Sequence, residues 1–203
     1  MNIYMQIIGE MEAALEKCAD NSDPLGGWDR AAAYYVGSLD LPGNLLYSLA
    51  NKRCQNFKTC GENGDQTSGE AKASMAIMDL FTEGQAHLQA KRCGSAKAAK
   101  ERIAQLMAIP MIQGSLRYNY ISAYELSAGE KIEAEGLVFA AAVLPLVHAC
   151  SPDDAATIYE NVKIDRDGDD FPALKMAFEN NYECMKLTCK DIGGKLFEST
   201  DRR

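Results

Sequence analysis

The sequence predicts an all-α protein with about seven to nine helices and little or no sheet. Apolar residues recur at helical spacing through most of the chain, and in the first segment Ile3, Ile7 and Met11 share one helix face. No segment shows the sustained alternation of apolar and polar residues that a half-buried strand needs. Stretches rich in Gly, Pro, Asp and Asn separate the helical segments. A chain of 203 residues can bury one core, so we expect a single module over residues 1–203.

Each helix is predicted from its own start and stop signals. The expected helices cover residues 2–19, 28–39, 44–57, 70–92, 95–110, 112–126, 131–149, a segment that begins at 152, and 171–199. The Gly26–Gly27 pair is expected to break the chain before the second helix. Ser95 and Ser151 are predicted N-caps, and Pro152 stands at the first helical position. Pro110 is expected to bend or end its helix, because proline lacks the backbone N–H donor.

The charge and hydropathy of the chain exclude some classes of partner. The formal net charge is -8, whereas a nucleic-acid-binding protein presents clustered Lys and Arg to the phosphates. The longest apolar run covers residues 136–147, which is shorter than the roughly 20 residues that a membrane-spanning helix needs. The first residues lack the basic and apolar blocks of a signal peptide. We therefore expect no nucleic-acid partner and no membrane span.

The cysteines bear on the compartment in which the protein works. There are seven: Cys18, Cys54, Cys60, Cys93, Cys150, Cys184 and Cys189. Cys54 and Cys60 stand where the helical pattern breaks into a turn-rich loop, so a local disulfide is geometrically easy there. The odd count leaves at least one thiol unpaired or paired outside the chain. Cysteine usage favours an extracellular, periplasmic or plasma-membrane surface location over the cytosol.

Several familiar catalytic and metal motifs are missing from the sequence. Neither His87 nor His148 has a Glu three residues away, which excludes the Glu-x-x-His motif of di-iron bundles. The acidic stretch 165–170 does not place Gly and Glu as a calcium-binding EF-hand loop requires, so we interpret it as a solvated turn. No Gly-rich phosphate loop and no Gly-x-Ser-x-Gly nucleophile motif occurs. These patterns predict a protein that is not an enzyme.

The side-chain oxygens of Tyr, Asp and Glu remain as candidate ligands for a metal ion. Nine tyrosines accompany a single Trp, and several of them stand beside charged residues, as in the run Arg117-Tyr118. A hard trivalent cation such as Fe(III) prefers phenolate and carboxylate ligands, and it displaces the phenol proton when it binds. A neighbouring Arg could hold an anion through paired donors. The other interpretation is that the tyrosines are half-buried core residues with their hydroxyls in water.

Glu135 is the carboxylate that the pattern draws toward the interior. It shares a helical stripe with Phe139 and stands just before the apolar run. A partly buried carboxylate needs a cationic partner or a metal ion. A salt bridge to Arg53 or Arg117 and a role as a metal ligand are both compatible with the sequence.

Five segments of the chain resemble the algal Fe-assimilating proteins and the related phytotransferrins, the iron-starvation-induced proteins of diatoms. They are WDRAAAYYVGSL at 28–39, YSLANKRCQNFKTC at 47–60, LRY at 116–118, EGLVF at 135–139 with LP at 144–145, and MKLTCKDIGG at 185–194. The segments occur in the family's order and cover nearly the whole chain. The resemblance implies a helical, non-enzymatic protein that captures ferric iron at or outside the plasma membrane. For phytotransferrins it further implies carbonate as a synergistic anion and uptake by endocytosis with cell-surface partner proteins.

The resemblance and the oxygen donors together give one hypothesis for the site. Positions inside the matching motifs are Asp29, Tyr47, Arg53, Arg117, Tyr118 and Glu135. We expect a ferric site between the helices at 28–57 and 112–139, with Asp29, Tyr118 and Glu135 as the main ligands and Tyr47 as a secondary ligand. Arg53 or Arg117 would hold carbonate or neutralise the carboxylates. Arg30 stands where the family has Glu, which would alter the site if that Glu is a ligand. The alternative is a metal-free helical interaction module of a stress-induced surface protein.

Overall fold

The structure is a computed structural model, and it describes residues 2–37, 45–125, 129–164 and 170–194. Over these residues the chain is all-α, as predicted, and it forms no strand. The helices are α1 (Asn2–Ala19), α2 (Leu25–Val36), α3 (Leu46–Phe57), α4 (Lys72–Gln89), α5 (Cys93–Tyr124), α6 (Glu130–Cys150), α7 (Pro152–Val162), α8 (Phe171–Asn181) and α9 (Cys189–Ile192).

The chain divides into two compact units. The first unit comprises Met1–Gln55 and Cys60–Met107, and the second comprises Asn56–Thr59 and Ala108–Arg203. Helix α5 contributes residues to both units. The single module over residues 1–203 stays a prediction, and each unit is described by itself.

The core of the first unit is built where α1 packs on α2 and α2 packs on α4. Trp28 is 1% exposed, its indole N–H donates to the carbonyl of Phe81 at 2.8 Å, and the two rings meet edge to face. A Cβ at Gly84 would overlap the Trp28 ring, so glycine is required for this close approach. The large apolar side chain and its satisfied N–H together fix α2 against α4.

Two helix boundaries in the first unit differ from the prediction. The Gly26–Gly27 pair does not break the chain, because α2 already begins at Leu25. Gly27 is buried and a Cβ there would come within 3.0 Å of the Glu10 carbonyl oxygen, so this glycine serves the packing of α2 on α1. Ser95 is not an N-cap, since α5 begins at Cys93.

In the second unit α6 packs on α7 and α8, and α7 packs on α8. Helix α5 continues through Pro110 to Tyr124, so the two helices predicted on either side of Pro110 are one. Gly114 lies so close to Phe139 that a Cβ would be 2.6 Å from the ring, which brings α5 and α6 into contact. Ser151 caps α7 by accepting from the backbone N–H of Asp154, as predicted.

The predicted helix 171–199 is too long. Helix α8 ends at Asn181, and Lys186 adopts a left-handed backbone conformation with φ of 58°. A new short helix starts after Thr188, whose side chain forms a capping box with Asp191. The chain therefore leaves the helix at Asn181, and the capping residue Thr188 begins the next one.

Helix α6 also corrects the expectation about membrane spans. It is the one helix in the described ranges that could cross a membrane by length and composition, with a mean hydropathy of 1.6 over its most apolar stretch. Only 22% of that stretch is buried. The sequence estimate was wrong because it counted an uninterrupted apolar run, whereas the helix extends beyond that run at both ends.

Candidate functional site

The six predicted site residues fall into two groups of three. Asp29, Tyr47 and Arg53 belong to the first unit, and Arg117, Tyr118 and Glu135 belong to the second. The site that would join them stays a prediction. Within each unit, the structure shows which of these side chains have a chemical neighbour.

Asp29 lies on the exposed side of α2, next to the buried Trp28. Its carboxylate accepts a hydrogen bond of 2.7 Å from the side-chain amide of Gln85 on α4. The neighbouring Arg30 donates to the Glu10 carboxylate at 2.7 Å, and this hydrogen bond holds the pKa of Glu10 below its usual value. Asp29 therefore has one neutral hydrogen-bond donor and open access to solvent.

Tyr47 has a carboxylate neighbour that the sequence hypothesis did not include. The phenol is half-buried on α3, and its hydroxyl interacts with the side chains of Glu70 and Asn51. Burial raises the pKa of Tyr47, and the hydrogen bond and negative charge of Glu70 raise it further. Its ring also meets that of Tyr35 edge to face, with centroids 6.1 Å apart. The first unit therefore places the neutral phenol of Tyr47 beside the carboxylate of Glu70.

Glu70 reaches Tyr47 because its loop is tied to α3. A disulfide joins Cys54 on α3 to Cys60 at the start of the loop, which confirms the predicted pair. The backbone N–H of Gly61 donates to the carbonyl of Glu70 at 2.8 Å, and that of Ala71 donates to the side-chain oxygen of Asn51 at 2.8 Å. These contacts hold the backbone carbonyl of Glu70 and the backbone N–H of the residue after it.

Arg53 is a buried cation of the first unit, with 2% of its surface exposed. It stands six residues after Tyr47, and six residues turn a helix by about 240°. The two side chains therefore leave α3 in different directions. A buried guanidinium is costly unless anionic or polar groups surround it, so Arg53 is a fixed positive charge inside this unit.

In the second unit, the structure brings Tyr118 and Glu135 to the same contact between α5 and α6. The Tyr118 ring stacks on Phe139, with centroids 5.6 Å apart and planes 7° apart. Phe139 lies one helical turn after Glu135 and therefore on the same face of α6. Asn119 lies against Gly136, where a Cβ would be 3.1 Å from the Asn119 side chain. The phenol and the half-buried carboxylate are thus on neighbouring turns of adjoining helices.

Arg117 supplies positive charge to this second pair. Its guanidinium carbon lies 5.8 Å from the centre of the Tyr118 ring, within the range of a cation–π contact. Its Nε is buried and has no hydrogen-bond partner. Among the described residues no ion pair joins Arg117 to Glu135, so that salt bridge does not account for the carboxylate, and the alternative of Arg53 stays a prediction.

No cluster of three or more His, Cys, Asp and Glu side chains that could hold a metal ion occurs in the ranges the structure describes. The acidic stretch 165–169 lies outside those ranges. A metal ion at either pair would therefore depend on phenol oxygen and on ligands from outside the protein. Carbonate is such a ligand, since it offers two oxygens and can be held by a guanidinium.

Three disulfides are present: Cys18–Cys93, Cys54–Cys60 and Cys150–Cys184. Cys189 is a free and exposed thiol, which agrees with the odd cysteine count. Three disulfides are typical of proteins from an oxidising compartment. No family model matches this chain, and comparisons with curated proteins and with solved structures find no match either.

Proposed function

We propose that this protein binds ferric iron as its cargo, for uptake at the cell surface, through phenolate and carboxylate oxygens with carbonate as a synergistic anion. The observation that carries the proposal is that the phenol of Tyr47 lies beside the carboxylate of Glu70, in a loop that a disulfide and a hydrogen bond to the Asn51 side chain fix to α3. Tyr47 was the secondary ligand of the sequence hypothesis. It becomes the first candidate because a specific carboxylate accompanies it.

The protonation chemistry of Tyr47 suits a cation that is bound and later released. Without metal the phenol is neutral at physiological pH, and burial and the negative charge of Glu70 raise its pKa further. A trivalent cation next to Glu70 would displace the phenol proton and gain a second anionic oxygen. Since binding releases a proton, ferric affinity should increase as the pH rises and decrease in an acidic compartment.

The second unit offers a separate pair with the same chemistry. Tyr118 and Glu135 supply a phenol and a carboxylate, and Arg117 supplies a guanidinium whose Nε is buried without a hydrogen-bond partner. In our proposal Arg117 holds the carbonate, because a planar guanidinium can bind a carboxylate-like anion through two donors. Asp29 remains a proposed ligand that Gln85 positions, and Arg53 remains a proposed neutralising charge.

The proposal is tested by titrating the purified protein with a weakly chelated ferric salt, with and without bicarbonate. Iron-bound phenolate gives a purple-red charge-transfer absorption, and binding to the folded state raises the midpoint of thermal unfolding. We expect both signals with bicarbonate and weaker signals without it. If ferric salts give neither colour nor a thermal shift at any bicarbonate concentration, the iron proposal is wrong.

A metal-free interaction module is the second candidate, and one observation favours it. The exposed side of α6 carries the apolar residues Ala134, Val138 and Pro145 at the spacing of a heptad repeat. Val138, in the middle of this stripe, is 65% exposed. A helix that is apolar on nearly all sides is normally covered. This candidate predicts association of the iron-free protein, which Val138→Lys would abolish in analytical ultracentrifugation. A monodisperse, iron-independent monomer at high concentration would contradict it.

A further inference from the structure

A cavity of about 210 Å³ lies in the second unit, and Leu116 and Tyr120, which stand two residues before and after Tyr118, are among its lining residues. Its walls are mainly apolar and include four aromatic rings. The residues that matter for the argument are Phe57, Leu116, Tyr120, Phe171, Tyr182 and Ile192. Tyr120 and Phe171, which both line the cavity, meet edge to face with centroids 5.4 Å apart.

Hydrogen bonds hold this cavity open. The Gln113 side chain is 1% exposed, and its amide donates to the Thr59 hydroxyl at 3.1 Å and to the Ile192 carbonyl at 2.8 Å. The backbone N–H of Gly194 donates to the carbonyl of Phe57 at 3.1 Å. The wall that contains α9 is therefore fixed to the segment after α3, and it cannot collapse into the space without breaking buried hydrogen bonds.

Tyr182 gives the cavity one polar group. The residue is 5% exposed, its hydroxyl is neutral at physiological pH as in any ordinary tyrosine, and burial raises its pKa further. The hydroxyl makes no hydrogen bond to the part of the chain that the structure describes. The charged side chains at the mouth, Lys175 and Glu179, pair with each other at 2.5 Å. Since those charges already have partners, a charged ligand would gain little there.

We propose that this cavity is a binding site for a small, neutral, planar aromatic molecule that carries one hydrogen-bonding group. Apolar cavities of about 150 Å³ take up benzene, so a cavity of this size suits a molecule of about ten non-hydrogen atoms such as indole. The rings would stack on the ligand, and the Tyr182 hydroxyl would bind its polar group. The inference does not depend on iron binding.

The experiment uses indole as the probe and the free thiol of Cys189, which lies at the cavity, as a reporter of position. Saturation-transfer NMR detects binding to the full chain, and mass spectrometry follows alkylation of Cys189 by iodoacetamide. We expect saturating indole to bind and to slow alkylation at least tenfold. Cyclohexane, which has neither a flat aromatic ring nor a polar group, should bind at least tenfold more weakly than indole.

Two matched pairs of variants locate the binding. Gly194→Trp places a large side chain at the cavity wall, and Gly94→Trp places the same side chain at the start of α5; a Cβ meets nothing within 4 Å at either position. Tyr182→Phe removes the buried hydroxyl, whereas Tyr159→Phe removes an exposed one. We expect Gly194→Trp to abolish indole binding, Tyr182→Phe to weaken it about tenfold, and both controls to bind normally.

The proposal is overturned if indole does not bind, or if it binds without slowing the alkylation of Cys189. Unchanged binding in a folded Gly194→Trp variant would also overturn it. If that variant fails to fold, as judged by far-UV circular dichroism, the alkylation experiment on the unmodified protein and the Tyr182→Phe comparison decide the question. An equal effect of Tyr182→Phe and Tyr159→Phe would remove the proposed role of the buried hydroxyl.

Discussion

Two regions of the molecule place a phenol and a carboxylate on adjoining elements of the fold, and they use different contacts to do so. In the first unit, directional hydrogen bonds and the Cys54–Cys60 disulfide fix the loop that presents Glu70 to Tyr47. In the second unit, the Tyr118 ring stacks on Phe139, which lies one helical turn after Glu135 on α6. Hydrogen bonds fix a position and a direction, whereas stacking leaves the ring free to slide by a fraction of an ångström. The first pair should therefore be the more sensitive to a change in its supporting contacts.

The largest expected effects come from removing a disulfide. The disulfide whose loss costs the most stability should differ from the one whose loss weakens iron binding the most. Replacing Cys150 and Cys184 by Ser removes a link with a sequence separation of 34, and replacing Cys54 and Cys60 removes one with a separation of 6. Since the longer loop is the costlier one to close, we expect stability losses of about 4 and about 2 kcal/mol in urea denaturation. Only the second change should weaken ferric binding strongly. If both disulfide variants lost ferric binding equally, the Cys54–Cys60 disulfide would have no special role in positioning Glu70.

The next effect concerns the hydrogen bond that holds the residue after Glu70. Asn51→Ala leaves the N–H of Ala71, which is 2% exposed, without its acceptor. We expect this change to cost about 1–3 kcal/mol in the free energy of unfolding and to weaken ferric binding. Asn180→Ala is the matched control, because its hydrogen bond to Asp154 is exposed and its loss should change stability by less than about 0.5 kcal/mol. Similar losses in both variants would show that the loop does not depend on Asn51.

A smaller effect is expected for the stacked pair. Tyr118→Leu keeps an apolar side chain and removes the ring contact with Phe139. The expected loss is about 1 kcal/mol, since this is the typical contribution of an aromatic pair. Urea denaturation of this variant beside the exposed Tyr159→Leu measures the difference. A loss no larger than that of the control would mean that stacking does not position Tyr118.

The smallest effect is the alkaline dependence of stability. The pKa of Tyr47 is raised in the folded protein, so the folded state keeps the phenol proton when the unfolded state loses it. Stability from this group is complete below about pH 10 and is lost as the pH rises through the folded pKa. In Tyr47→Phe the free energy of unfolding should therefore decrease less steeply above pH 10 than in the native protein. In Tyr159→Phe it should decrease as in the native protein. Denaturation curves between pH 9 and pH 11 measure both slopes.

Patterns of local spacing predicted most of the fold. Helical periodicity gave α1, and the Ser151-Pro152 signal gave the start of α7. The errors came from contacts that are distant along the chain. Gly27 is helical because α1 lies against it, and Pro110 is tolerated inside α5, where a sequence pattern alone suggests a stop.

The candidate site was less predictable than the helices. The Cys54–Cys60 disulfide followed from spacing and the turn-rich loop between them. Glu70 was missed, because it reaches Tyr47 through the path of a loop and carries no periodic signal. One hint was available in the sequence. Glu70 ends a Gly-rich loop whose start, Cys60, is joined by that disulfide to the helix that carries Tyr47. The contact between Tyr118 and Phe139 also depends on how α5 and α6 meet, which one sequence does not encode in its spacing.

The most direct test is the charge-transfer absorption of the ferric protein in bicarbonate, measured for Tyr47→Phe beside the matched Tyr159→Phe. Tyr159 is 49% exposed and has no part in either pair. We predict that the native protein and Tyr159→Phe develop the band with saturating iron, and that Tyr47→Phe loses most of its intensity. An undiminished band in Tyr47→Phe, or no band in the native protein, would contradict the assignment of iron to the phenol that Glu70 accompanies.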